Sequence, residues 1–525
     1  MRALGINIRG GVAASGKRLV VCLGVCPVSV PDVSIGRPAG IAYPAGRLSF
    51  AGNPWPGPGL LRRLCHDLPN GLLRTLSRVC FRGGCRGLVL GWAVLLVWLA
   101  GSGAARAELE LSGRWQQEFA YRVAAHPVWT KGLAFVQVQG VENWGGRGQL
   151  TAIGRVWYDP ALDRGNPWRL NPSLAPGASL QDAFVGSELK EVYLDVATSR
   201  VDLRLGRQIV RWGLLEGARI TDRINPLDFR EFLFRDVEDR YIPLWMARLD
   251  YYPDWGPWQQ AQLLLIPDLR FHRPAPVGSE WHEFELPPGV RRPRNGVENT
   301  EVAALAGFRS GEVSWTASYF YTWDDFPAAF RSIFGVGGQL TGVSLDARYE
   351  RIQILGLTAS RSLWGVILSL EGAYDRGKYL ATDPGAVSGN EVRRDVAHAG
   401  LGVDMNLAGV DVSIGGFQDQ VLGWQPFIPV RRAERGGSLL IHEGYLNERL
   451  DARLLILYFH TGNQYVARPE MAYKITDRVK VIMGVDLLGG ERGSAPNDPA
   501  RVREFRFVGY FRDHDRVHAQ LAWRF

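Results

Sequence analysis

From residue 108 onward, apolar and polar side chains alternate in short segments. In the first, Leu111, Gly113, Trp115, Phe119, Tyr121 and Val123 fall on one side, and Glu110, Ser112, Arg114, Gln116, Glu118 and Arg122 on the other. Neighbouring side chains on a strand face opposite ways, so this is a strand with one apolar and one strongly polar face. The last segment repeats the pattern: Val517, Ala519, Leu521, Trp523 and Phe525 alternate with Arg516, His518, Gln520 and Arg524. Between them lie further segments at 133–142, 149–158, 192–196, 201–210, 244–252, 258–266, 300–309, 312–321, 345–358, 363–375, 393–405, 410–418, 438–445, 450–460, 468–475 and 479–487. Short turns join them in pairs. Long connections separate most pairs, at 159–189, 211–243, 267–298, 322–343, 376–392, 419–437 and 489–514. Alternating short and long connections between segments of about 10 residues are the mark of an outer-membrane β-barrel, with periplasmic turns and extracellular loops. The expected fold is all-β: a transmembrane antiparallel barrel of 18 strands, with 16 as the alternative count. Residues 504–512 also alternate, but a further strand would break the even count, so they are expected to form a loop arm or to extend the last strand.

The second of these long connections, the third on the extracellular side, stands out. After the strand 201–210 the chain breaks at Trp212-Gly213 into a run crowded with both charge signs: Arg211, Glu216, Arg219, Asp222, Arg223, Asp228, Arg230, Glu231 and Arg235. So long a charged connection in a compact domain usually has a function. A constriction loop inside the pore, a lid and a surface loop are all open to it. Gly213 and Gly217 permit the sharp bends that inward folding requires, so these nine residues are the candidate pore or constriction set. Asn225-Pro226 and Asp228 suit a simple turn. Arg207 falls by parity on the lipid face, which requires a bulge nearby or a side chain that reaches the membrane rim.

Composition changes the picture only after the N-terminus is set apart. The chain has 525 residues and a formal charge of +8. Residues 1–107 carry 13 of the 61 Lys and Arg and 2 of the 53 Asp and Glu, leaving 48 basic against 51 acidic residues and a net charge of −3. The basic excess is therefore no sign of nucleic acid as a partner. Residues 85–107 read as a secretory signal peptide: an arginine-rich approach, an apolar run of about 13 residues, and a small-residue exit with cleavage after Ala107. That run is shorter than the roughly 20 residues of a spanning helix. Residues 1–84 have no sustained period and suit a mis-assigned start or a disordered extension. All five cysteines (Cys22, Cys26, Cys65, Cys80 and Cys85) precede residue 108, so the barrel region 108–525 has neither a disulfide framework nor a thiolate metal site.

Gly206-Arg207-Gln208 with Trp212-Gly213, then Asn225-Pro226-Leu227-Asp228, then Arg468-Pro469-Glu470 through Tyr473, Thr476-Asp477, Lys480 and Gly484, together resemble a family of proteobacterial outer-membrane barrels of unassigned function. The closing GYFRDHDRVHAQLAWRF resembles that family's final hairpin. More weakly, the strand with Gly206-Arg207-Gln208 resembles alginate-export porins, which implies 18 strands. The terminal Phe525 resembles the signal by which such barrels engage their assembly machinery.

Candidate lumen-lining residues are Glu110, Arg114, Glu118, Arg122, Arg449, Asp451, Arg453, Lys480, Asp486, Arg516, His518 and Arg524. On the lipid face such charges cost about 2–4 kcal/mol each near the midplane. They suit a polar solute pathway or a self-neutralising network that seals the lumen. With the signs mixed, neither anion nor cation preference follows. The expected function is a porin-like channel, passive or loop-gated, for small polar or organic solutes. The alternatives are a structural or adhesive barrel and, further off, an outer-membrane hydrolase. No catalytic set, cofactor or metal is expected. His398 and His518 face the lumen as lining residues. His272, Glu280, His282, Glu283 and Glu285 share a loop at no metal-ligand spacing and read as solvated surface. The expected partners are outer-membrane lipid and lipopolysaccharide, the barrel assembly machinery and small solutes; nothing fixes an oligomeric state.

Overall fold

A computed structural model describes residues 108–124, 126–146, 148–163, 184–282, 286, 289–336, 339–493 and 506–525. The signal peptide, its cleavage at Ala107, and Glu283 and Glu285 lie outside them. The strands begin with β1 (Glu108–Arg122), the short β2 (Val128–Lys131), β3 (Ala134–Trp144), β4 (Gly148–Tyr158), β5 (Val185–Ala197) and β6 (Val201–Gln208). They continue as β7 (Leu244–Tyr251), β8 (Trp258–Ile266), β9 (Glu301–Ser310), β10 (Val313–Trp323), β11 (Ala328–Val336), β12 (Gln339–Arg348), β13 (Arg351–Leu363) and β14 (Val366–Ala381). The series closes with β15 (Glu391–Leu407), β16 (Val410–Val421), β17 (Ala433–Tyr445), β18 (Leu450–Phe459), β19 (Gln464–Lys474), β20 (Val479–Gly489) and β21 (Arg516–Arg524).

Each strand pairs antiparallel with its neighbour from β3 to β10 and from β13 to β21, and β10 pairs directly with β13. The ring closes through β1, which pairs with β21 from Arg114↔Arg524 to Arg122↔Arg516 and with β3 on its other edge. Leaving out β2, β11 and β12, the barrel has 18 strands, an even number that returns both ends to the same side. At the turn end, Trp364-Gly365 (φ 52° and 82°) and Ala408-Gly409 (φ 52° and 100°) make two-residue turns with both central residues at positive φ, the geometry that matches strand twist.

The outer face is apolar. Leu111, Leu205, Leu263, Leu355, Leu370, Leu401, Ile414, Met471 and Met483 are exposed on it, and Trp144, Trp245, Tyr319, Tyr458, Tyr473 and Trp523 add exposed aromatics. A closed barrel satisfies its backbone internally, and with an apolar exterior it is a membrane-spanning structure of the outer-membrane kind. Phe525 belongs to this face: its ring lies over Gly113, where an added Cβ would fall 2.4 Å from it.

Several boundaries differ from the sequence expectation. The segment 345–358 is the end of β12 and the start of β13, split at 349–350. β11 and β12 form a separate hairpin that starts inside the expected long connection 322–343 and runs on to Arg348. β14 and β15, 16 and 17 residues long, exceed the 9–11 needed to span; they rise above the membrane beside that hairpin, where Phe330 meets Tyr379 at 5.2 Å. Within 504–512, the described residues form a turn and a 3₁₀ turn at Gly509–Phe511, so they belong to the loop and do not extend the last strand.

Candidate functional site: a loop folded through the lumen

The third loop, L3 (209–243), follows β6 and holds one short helix, α1 (Val237–Arg240). It lies inside the barrel, and its own side chains fix its shape. Asn225, fully buried, accepts from the Val210 N–H at 2.8 Å and donates to the Ile242 carbonyl at 2.8 Å, so one amide joins both limbs of the loop. The next residues continue the ladder: Ile242 N–H donates to the Pro226 carbonyl and Asp228 N–H to the Arg240 carbonyl. The Leu227 N–H donates to Nδ1 of His272 at 2.9 Å. Asn225-Pro226-Leu227-Asp228 is thus the buried node of the loop, more than a turn.

Beyond this node L3 divides into two lobes. The first, 211–224, crosses to the far wall. Trp212 donates its indole N–H to Gln262 of β8 at 2.7 Å. Glu371 of β14 then accepts from the backbone N–H groups of Leu214, Leu215 and Thr221 and from the Thr221 hydroxyl. Leu215 lies against Gly400 and Gly402 of β15, where an added Cβ would fall 2.4 and 2.5 Å from its methyl groups. Ser438 of β17 donates to the Glu216 carbonyl at 2.7 Å. Gly213 (φ 106°) and Gly217 (φ 90°) take the bends, and a Cβ on Gly217 would strike Ser438.

The second lobe, 229–240, is tied to the opposite wall by charge. Asp239 faces Arg114 of β1 at 2.9 Å, Arg155 of β4 at 2.7 Å and Lys190 of β5 at 2.5 Å. Glu231 meets Lys131 at 2.5 Å. Asp228 collects Arg230 at 2.7 Å, Arg235 at 2.9 Å and Arg273 at 3.5 Å. Burial alone would raise these carboxyls. For Asp239, the charges of Lys190, Arg155 and Arg114 reverse that and hold it far below the usual range. For Asp228, Arg230 and Arg235 do the same.

Of the nine charged residues expected in this loop, Arg219, Asp222 and Asp228 are buried, and they hold the loop rather than face open lumen. Arg219 donates to the Asp222 and Asn225 carbonyls, and Asp222 takes the Tyr241 hydroxyl and the Trp212 N–H. Arg223 donates to the Ile220 carbonyl. Arg211 is exposed and lies over the Tyr241 ring at 5.2 Å. Glu231 and Arg235 line the cavity left between L3 and the wall, along with Lys131, Arg155, Asp239, Arg468 and Arg516.

On the wall, Glu118 pairs with Lys131, and Arg122 with Glu280 at 3.0 Å. Arg468 reaches Glu470 at 3.0 Å and Asp486 at 3.2 Å, Arg516 reaches Asp486 at 2.6 Å, and His518 lies between those same two carboxylates at 3.2 and 3.4 Å. Lys480 and Arg453 are more open, each 3.9 Å from an acid, Asp451 and Glu470 respectively. Glu110 and Arg524 are exposed at the turn end of the barrel, and Arg449 lies in the turn before β18 rather than in the strand. His398 has Asp419 at 2.6 Å and Asp375 at 3.2 Å on its two ring nitrogens, so it is clamped. His272 and Glu280 are not solvated surface: both are half-buried and bonded to other parts of the chain. β6 keeps its register with β5 and β7 through Arg207, so no bulge turns that residue inward. Arg270, Glu188, Asp268 and Arg273 supply the charges near it.

Two features escape a reading based on charge. An apolar core fills part of the lumen: Leu215, Ile220, Phe232 and Phe234 of L3 join Leu264 and Ile266 of β8, Ile354 of β13, Leu440 of β17 and Leu455 and Leu457 of β18. Their signal in the sequence is lost alternation, in Leu263-Leu264-Leu265-Ile266 and Leu454-Leu455-Ile456-Leu457, because such strands are apolar on both faces. The second feature is an aromatic cap. Phe232 stacks on Trp281 at 5.6 Å and meets Phe507 at 4.7 Å and Phe511 at 4.9 Å, joining L3 to two other loops.

Residues 138–255 match a family described as a protein of unknown function, DUF1302. The match runs from β3 to the turn before β8 and contains the whole of L3. No curated protein matches the sequence. Among solved structures, similar chains include OccK8 (OprE) of Pseudomonas aeruginosa, at 9% identity over 80% of this chain and 98% of that one, TM-score 0.46. OccK9 (OpdG) of the same organism matches at 12% identity over 79% and 98%, TM-score 0.44. OccAB3 of Acinetobacter baumannii matches at 9% over 80% and 99%, TM-score 0.43.

Proposed function

We propose that this protein is an outer-membrane channel for small polar or organic solutes, in which L3 sets the width and chemistry of the passage. The observation that carries this reading is the path of L3 through the lumen, from Gln262 on β8 to Glu371 on β14, and back to Arg114, Arg155 and Lys190 on β1, β4 and β5. An 18-strand barrel encloses a lumen wide enough for water unless loops narrow it. A loop bonded to opposite walls narrows it at a defined place, and the charged cavity beside it offers a polar route. Swelling of proteoliposomes tests this. Uptake of small sugars, amino acids and aromatic acids above that of protein-free vesicles is expected, with a size cut-off; rates equal to protein-free vesicles for all of them contradict it.

One observation favours a second reading, a structural barrel with a sealed lumen. The aromatic cap around Phe232 and Trp281 and the paired charges beneath it leave few groups free to meet a solute. Absence of uptake with a folded barrel would favour that reading. Phe525, following β21 on the apolar outer face, supports recognition by the barrel assembly machinery under either.

A further inference from the structure

On the lipid side, at the loop end of the barrel, β14 and β15 present two arginines that the protein leaves largely unused. The ladder slips between Asp375 and Lys378, and Gly377 takes φ 86° in the resulting bulge. Arg376, in step with Leu368 and Leu370 along β14 and in register with Gln353 of β13, faces outward and is exposed where the bulge begins. Among the described residues, Arg376 has no ion pair and no side-chain hydrogen bond. Arg393 lies across the same bulge: its Nε donates to the Gly377 carbonyl at 3.2 Å, and an added Cβ on Gly377 would fall 2.4 Å from its Nη2. The carboxylate between them, Asp395, is already engaged by the Gly377 N–H at 2.8 Å and by the Tyr374 hydroxyl. Arg394 adds to the charge, with its donors spent on the Gly423 and Arg393 carbonyls. Two other outward arginines at this end are covered: Arg351 lies over Tyr321 and Trp323 at 4.6 and 4.4 Å, and Arg435 donates to Gln418.

Below this pair the face is hydrocarbon-compatible, with Leu370, Leu368 and Leu401 exposed. The site therefore lies at the height of lipid headgroups, above the acyl chains. A lipid-facing charge is costly toward the midplane and tolerable at the rim. Two guanidinium groups with free forked donors match phosphate in charge and shape. We propose that Arg376 and Arg393, set by the bulge at Gly377, bind the phosphate of a phosphorylated glycolipid of the outer leaflet. The inference rests on the membrane-spanning barrel and is independent of whether the lumen conducts.

Native mass spectrometry of the folded barrel in detergent tests it, with a bisphosphorylated lipid A, its dephosphorylated form and inorganic phosphate as probes at equal concentration. Wild-type protein should retain the phosphorylated lipid at least ten-fold more than the dephosphorylated one, and show no retained inorganic phosphate. R376Q/R393Q should lose that preference, whereas Arg361→Gln, at the turn end, should keep it. If the double variant does not fold, Arg376→Gln alone, which removes no bond within the protein, should lower retention about three-fold. Equal retention by wild type and variant, equal retention of the two lipids, or phosphate retained as well as lipid would each overturn the assignment.

Discussion

Asp239 shows how single residues hold L3 in place. Its carboxylate is the common partner of three cations from three strands. Asp239→Asn takes the carboxylate from Arg114 and Lys190, while Arg155 keeps Glu188 at 2.6 Å; removing one partner of such buried pairs costs about 3 kcal/mol or more. The expected result is a lower urea midpoint and a noisier, larger conductance in bilayers; unchanged values of both would remove Asp239 from its anchoring role. Glu371→Ala acts on the other lobe. It leaves the N–H groups of Leu214, Leu215 and Thr221 without their acceptor, at roughly 1–3 kcal/mol each if they stay buried. The lobe should therefore detach, seen as a red shift of Trp212 emission, whereas an unshifted spectrum would show it held by Leu215 alone.

The pH dependence has two opposed limbs. Asp228 and Asp239 have folded-state pKa values below the unfolded value of about 4. Their contribution is full above pH 4 and is lost as pH falls below it. Burial pushes Asp325, 3.6 Å from His272, up to about 8. Its contribution is present while it is neutral and declines as pH rises from about 4 to about 8. Asp325→Asn should lessen the slope of stability across pH 4–8, to which Asp159, also pushed up by burial to about 7, adds, and leave the acid limb unchanged; a slope no smaller than in the wild type would remove Asp325 from it.

At the scale of elements, the strands were legible because alternation is local. A strand with lipid outside and polar groups inside shows a period of 2 whatever its neighbours do. Most of the eighteen barrel strands follow that pattern; β8 and β18 lose it where they are apolar on both faces. The rule fails where the physical setting changes. The segment 345–358 keeps alternating across the break at 349–350, because β12 and β13 are both two-sided strands in different sheets. L3 could be marked as a charged connection bent by Gly213 and Gly217, but its partners could not. Asp239 and Arg114 are 125 residues apart, and pairing at that distance leaves no spacing to read. The apolar lumen was visible only as two unbroken apolar runs, in β8 and β18. The same packing yields a prediction: Gly402→Val occupies the space of the Leu215 methyls and should loosen the first lobe without opening the barrel. Increased proteolysis within 211–224 with unchanged heat-modifiable mobility on gels is the expected result, and full protection would contradict it. The last strand ends with Phe525 against Gly113, so Phe525→Ala should lower the yield of folded barrel in cells; an undiminished yield would show that β21 does not depend on its terminal ring.

The whole molecule is a membrane barrel whose interior is organised as a second core, made of one loop and the inward faces of strands around the ring. That arrangement holds L3 at a fixed place in the lumen, among walls of mixed charge. The central claim is that L3 limits transport through an otherwise open barrel. Single-channel conductance in planar bilayers, comparing the full chain with a form lacking residues 214–240, tests it most directly. The account predicts a small conductance for the full chain and one several-fold larger without the loop. No conductance in either form, or the same conductance in both, would contradict it.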